Sequence, residues 1–150
     1  MIRRAHAFAA LLGVLAVAVG AGCGEDEQEA FAEDYRPLNR QIGSLGEFTG
    51  NAVDTAERKT NAQIEDQFGQ IAAELARLRG ELQELEPPEE LADAHEETTA
   101  EMRAVEGALR GIQESAAQDD PQAARRETIE LVRTSEDLRE ARRRLAGETP

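Results

Sequence analysis

Apolar side chains recur at Ile64, Phe68, Ile71, Leu75, Leu78, Leu82 and Leu85, spaced alternately four and three residues apart. The rhythm resumes at Leu91, His95, Thr98, Met102, Val105, Leu109, Ile112 and Ala116. A chain turning once every 3.6 residues brings such positions onto one face, and a seven-residue phase sustained this long predicts coiled-coil-like packing. Two long amphipathic helices are therefore expected, over 51–86 and 88–118.

Breakers set the boundaries. Pro87-Pro88 stops one helix, and Pro88 suits the first turn of the next, where Glu89 and Glu90 meet the positive end of its dipole. Asp119-Asp120-Pro121 repeats the device, with Asp120 as N-cap and Pro121 as first helical residue. Gly43, Gly46 and Gly50 loosen the preceding segment, and Asn51 with Asp54 resembles a capping box. Helices follow at 27–48 and 121–146, the last ending in Arg142-Arg143-Arg144 against its negative pole. Pro37 is expected to kink the first helix or to mark its true start.

Short connections make consecutive helices antiparallel, so facing residues can be paired from the bends outward. Around Pro87-Pro88, Ile64 faces Ile112, Ile71 faces Val105, Leu75 faces Met102 and Leu82 faces His95. Around Asp120, Ile112 faces Thr128, Leu109 faces Leu131, Val105 faces Ser135 and Met102 faces Leu138. Around the glycines, Leu45 would face Val53, Tyr35 would face Ile64 and Phe31 would face Phe68. Three hairpins in register predict an all-α, antiparallel up-down four-helix bundle. The rival architecture is a three-helix bundle whose first helix runs unbroken from about 30 to 86. Pairs such as Asp54–Arg58, Glu106–Arg110 and Glu140–Arg144 are expected to lie exposed and to add about 0.2–0.5 kcal/mol each.

Composition pulls against this order. The net charge is −14, with 31 acidic residues against 17 basic ones among 150. Strong charge and few Leu, Ile, Val and Phe approach the range of disordered chains. The sustained periodicity decides for helices, around a thin core. A domain this acidic is repelled by nucleic acid and by anionic head groups. With no tryptophan and one tyrosine it offers no platform for base stacking either.

The amino terminus carries an address. Arg3 and Arg4 precede an apolar run from Phe8 to Val19, and Gly20-Ala21-Gly22 stands immediately before Cys23, the only cysteine. The run is too short to span a bilayer as a helix and has the layout of a secretory signal. A cysteine directly after small residues resembles the lipobox of bacterial lipoproteins, although Gly20 stands where Leu or Val is usual. That resemblance covers residues 3–23. It implies cleavage after residue 22, acylation of Cys23 and retention on the outer face of the cytoplasmic membrane. A single lysine, Lys59, beside sixteen arginines further resembles the small helical lipoproteins of GC-rich bacteria. The expected divisions are a signal peptide at 1–22, a lipidated acidic tether at 23–30 and a helical domain at 31–150.

Candidate chemistry is sparse. Once His6 leaves with the signal, His95 is the only histidine, and Ala92 occupies the place where a Glu-x-x-His element would need its acid. Cysteine and histidine sets for zinc or haem are absent from the sequence. Ser44, Ser115 and Ser135 lack a glycine-framed nucleophile turn. No cofactor, metal, small-molecule substrate or enzymatic activity is therefore expected. Two functions remain: an envelope module that docks another protein or a copy of itself, and a bundle that binds a small molecule or lipid. In the pairing above, the first helix covers the second only as far as Phe68. Leu78, Leu82 and Leu85, with Leu145 from the last helix, would then form an apolar groove near Pro87-Pro88, unless residues 24–30 fold back over it. Such a groove suits a docked helix.

Overall fold

Two bends and one proline-rich turn divide residues 23–147, those the computed structural model describes, into four helices with no strand among them. They are α1 (Cys23–Thr55), α2 (Asn61–Glu84), α3 (Ala92–Ala117) and α4 (Pro121–Leu145), with short 3₁₀ turns at Ala56–Arg58 and Glu89–Leu91. The fold is an all-α four-helix bundle. Residues 1–22, which carry the expected signal peptide, lie outside the described residues.

Local chemistry explains the bends that match expectation. The Asp120 carboxylate accepts hydrogen bonds from the Gln122 and Ala123 N–H groups at 3.0 and 2.9 Å, and Pro121 fills the first turn of α4. These satisfy donors that a helix start leaves bare. Asp119 adopts a left-handed backbone with φ of 55°, and its side chain accepts from the Asn61 amide at 2.7 Å, tying this bend to the start of α2. Pro88 leads into α3 through the Glu89–Leu91 turn. Arg142, Arg143 and Arg144 occupy the last turn of α4.

The first bend departs from expectation. Gly43, Gly46 and Gly50 lie inside α1, which runs on to Thr55, and Asn51 is an interior helical residue. The capping box forms instead at Thr60: its hydroxyl accepts from the Gln63 N–H at 3.3 Å, and the Gln63 side chain accepts from the Thr60 N–H at 3.0 Å. Reciprocal capping defines a helix start more strongly than three glycines define an end, since each glycine costs only about 1 kcal/mol and burial can offset it. Pro37 also sits within α1, where it removes the N–H that Glu33's carbonyl would have accepted from. The break at residues 56–60 likewise excludes an unbroken helix from 30 to 86.

Moving that bend re-registers the first hairpin. Phe31 now reaches Leu85 and the Pro87-Pro88 turn rather than Phe68, and its ring lies 6.3 Å from that of His95. Further along, the Arg77 guanidinium donates to Gln41 at 3.3 Å, and Ile42 and Leu45 converge with Ile71 and Leu75. The other two hairpins follow the expected pairing. His95 Nε2 is 2.7 Å from the Leu82 carbonyl, and Glu97 near the start of α3 pairs with Arg144 near the end of α4 at 2.8 Å.

Met102, Leu109, Leu82, Phe68, Leu78 and Tyr35 are among the residues that fill the core. The threonines at apolar positions cost little order. Thr98 and Thr134 are buried, but each hydroxyl donates to the carbonyl four residues earlier, Ala94 at 2.8 Å and Glu130 at 2.9 Å. Glu106 is a second departure: it is buried, and Arg79 from α2 joins Arg110 on its carboxylate, at 3.2 and 2.6 Å. A buried carboxylate gripped by two guanidiniums links α2 to α3, which an exposed pair within one helix could not do. Glu140–Arg144 is long, at 3.9 Å. Backbones pack most closely between α2 and α3 and between α3 and α4, whereas α1 stands further off from both of its neighbours, and further from α4 than from α2.

Candidate functional site

The residues expected to form a groove do come together, as interior. Leu78, Leu82 and Leu145 are buried to within 2% of complete, and Leu85 is half-buried against the core. Phe31 and Tyr35, carried there by the longer α1, stack on one another with centroids 5.8 Å apart. Both belong to the same buried cluster. Leu78, Leu82 and Leu145 are closed into the core, while Leu85 lines, with Phe31 and Pro87-Pro88, an open and largely polar depression of about 660 Å³ at this end. The buried cover is this aromatic pair, and residues 24–30 continue the same helix, with Glu27 and Ala30 bordering the depression at Leu85. Cys23 is the first residue of α1, so the expected tether at 23–30 is helical and continuous with the bundle.

Open space appears elsewhere, where α1 stands away from α4. A cavity of about 380 Å³ lies there, floored by Ile42, Ile71, Leu75, Val105, Leu109 and Leu138, with contributions from all four helices. Its mouth is framed by Gly43, Gly46 and Glu47 on α1 and by Ser135, Arg139 and Arg142 on α4. Few polar groups compete for the floor: Thr49 lines the cavity, but its hydroxyl donates to the Leu45 carbonyl at 2.7 Å.

The mouth is built by specific contacts. Arg142 reaches across to α1, donating from Nε to Asn39 Oδ1 at 2.8 Å and from Nη2 to the Asn39 carbonyl at 2.6 Å. Gly43 permits this approach, since a Cβ there would lie 3.1 Å from Arg142 Nη2. Gly46 differs: a Cβ there would meet nothing within 4 Å, so helix packing does not require glycine at that point of the rim. Arg139 is exposed and, among the described residues, makes no ion pair. In contrast, Arg77, Arg79, Arg110, Arg133 and Arg144 are all engaged with carboxylates. Among the residues that line this mouth, two guanidiniums stand with the single carboxylate of Glu47, on a strongly acidic protein.

Periodicity alone marks the floor residues as core and carries no sign of a gap. The only signal in the sequence was indirect: three glycines within one helix, facing a helix rich in arginine. His95 stands at the core edge, on the Leu82 carbonyl and the Phe31 ring. Among the described residues no group of three or more His, Cys, Asp or Glu side chains is placed to hold a metal ion. None of the described helices is long and apolar enough to cross a membrane. No protein-family model, curated protein or solved structure matches the chain.

Proposed function

We propose that this protein is a lipid-anchored bundle on the outer face of the cytoplasmic membrane that binds a small apolar ligand between α1 and α4. The anchor reading rests on Arg3-Arg4, the apolar run and Cys23. The observation that carries the binding reading is the cavity, whose size falls within the usual range for ligand sites and whose floor is apolar. Bundles commonly place such sites between helices, and here it lies at the seam where the backbones of two neighbouring helices pack least closely.

A neutral, polarity-sensitive dye such as Nile red tests this. Saturable uptake by the purified protein, lost on Gly46→Leu while helical circular dichroism persists, is the expected result. The substitution replaces a helix-weakening residue in open space, so folding should survive it. Absence of uptake by the folded wild-type protein would remove the proposal.

A second reading, docking of an envelope protein or of a second copy, draws on the large apolar side chains left exposed: Phe48, Ile129 and Val132. Ile129 and Val132 lie one turn apart on α4. Two adjacent side chains make a small patch beside the few hundred Å² that usually mark an interface.

A further inference from the structure

We infer that the ligand is a single-chain amphipathic anion, its charged head on Arg139 and Arg142 and its chain among Ile42, Leu75, Leu109 and Leu138. This rests on the binding reading above and adds the class of ligand. Three observations carry it. The floor is apolar on every helix, so the buried part of the ligand must be hydrocarbon-like; a polar group there would lose its hydration without a partner. Charge is confined to the mouth, so the ligand must present its polar end there and nowhere else. Lastly, the mouth carries two guanidiniums against one carboxylate, on a chain whose net charge of −14 would otherwise repel anions.

The two arginines act differently. Arg142 is held in place by both the side chain and the carbonyl of Asn39, which fixes a positive charge at the edge of the opening. Arg139, one turn before it on α4, is exposed and makes no ion pair among the described residues, which leaves its planar donors available to a carboxylate or phosphate. Glu47 opposes them from α1 and disfavours a second negative charge on the head.

Three probes with one chain length separate head from tail: decanoate, decanol and decyltrimethylammonium, each displacing Nile red from the purified protein below its micelle concentration. Decanoate is expected to bind tightest. Arg139→Gln should weaken it by about two- to fivefold, the loss of one exposed ionic contact, while leaving decanol unchanged. Added salt should weaken decanoate and leave decanol unchanged. Gly46→Leu should exclude all three. Lysophosphatidylglycerol, as a fourth probe, tells a free acid from a lipid-derived head; binding of either supports the class. If the dye binds but the three decyl probes compete equally, or the cation wins, the head-group assignment falls and the cavity reading stands. If neither dye nor probe binds the folded protein, both fall together.

Discussion

Arg142 grips Asn39 twice, through its side-chain oxygen at 2.8 Å and its backbone carbonyl at 2.6 Å, across 103 residues of sequence. This clasp joins the last turns of α4 to the middle of α1, where the two backbones otherwise stay apart. Hydrogen bonds to a charged donor contribute about 1.5–3 kcal/mol when sheltered, and Arg142 is half-buried. Arg142→Ala should therefore lower stability by about 1–2 kcal/mol in urea unfolding. Amide exchange should rise in α1 more than in α2 or α3. Asn39→Ala should add little to Arg142→Ala in a double-mutant cycle, because the two share one interaction.

Leu82 separates an interior from an interface. It is fully buried, so Leu82→Ala should cost about 2–5 kcal/mol and Leu82→Glu should leave the chain unfolded by circular dichroism. The exposed Val132 makes the contrast: Val132→Ser should change stability by no more than about 0.5 kcal/mol. A folded, monomeric Leu82→Glu protein would mean that α1 does not cover this end of α2.

The position of the first bend is tested by its caps. Thr60→Ala removes one arm of a reciprocal capping box and should cost about 0.5–2 kcal/mol. Asn51 is exposed and helical, one turn before the end of α1, so Asn51→Ala should be neutral or slightly stabilising. The opposite ranking in thermal unfolding would return the bend to the glycines.

Two surface carboxylates give the protein an acid-sensitive increment. Hydrogen bonds from Arg77 and Arg133 hold Glu74 and Glu130 below the usual carboxylate value of 4.5. A carboxylate depressed in the folded state adds stability above its unfolded pKa, and that increment is lost as pH falls through the folded value. Both side chains are nearly half-exposed, so water screens the pairs and the increment is small. The Glu74→Gln, Glu130→Gln double variant should therefore be slightly less stable than wild type at pH 7. By pH 3 the two urea midpoints should draw together.

The anchor makes its own prediction. If Cys23 is acylated, the protein should partition into the detergent phase and take up labelled fatty acid, and Cys23→Ala should abolish both. One acyl chain holds a protein only marginally, so stable retention requires two at this residue. A free thiol on Cys23 in exported protein would rule the anchor out.

Much of the bundle is legible in the chain itself. The stripe from Ile64 to Leu85 and its continuation from Leu91 to Ala116 dictate helices. Pro87-Pro88 and Asp120-Pro121 dictate their bends, because a missing N–H or a capping carboxylate acts within a few residues whatever lies further off. From those bends the pairing of Leu82 with His95 follows by counting, since antiparallel neighbours joined by a short turn have no freedom to slide.

The end of α1 is different. Glycines favoured a break near residue 50 and the Thr60–Gln63 pair favoured one near 60, by local increments of about 1 kcal/mol each way. The reciprocal box prevailed over glycines that burial can offset, and with the bend at 60 Phe31, Tyr35, Leu38 and Ile42 are buried, which depends on residues far along the chain. Once α1 had lengthened, Leu78, Leu82 and Leu145 were closed into the core. The cavity opened along the seam between the first helix and the last. That seam joins two elements that no turn connects, so their spacing rests on Arg142, Asn39 and Gly43 meeting in space. Periodicity tells each helix which face to bury; how closely two such faces approach is settled only when side chains from all four helices compete for the same volume.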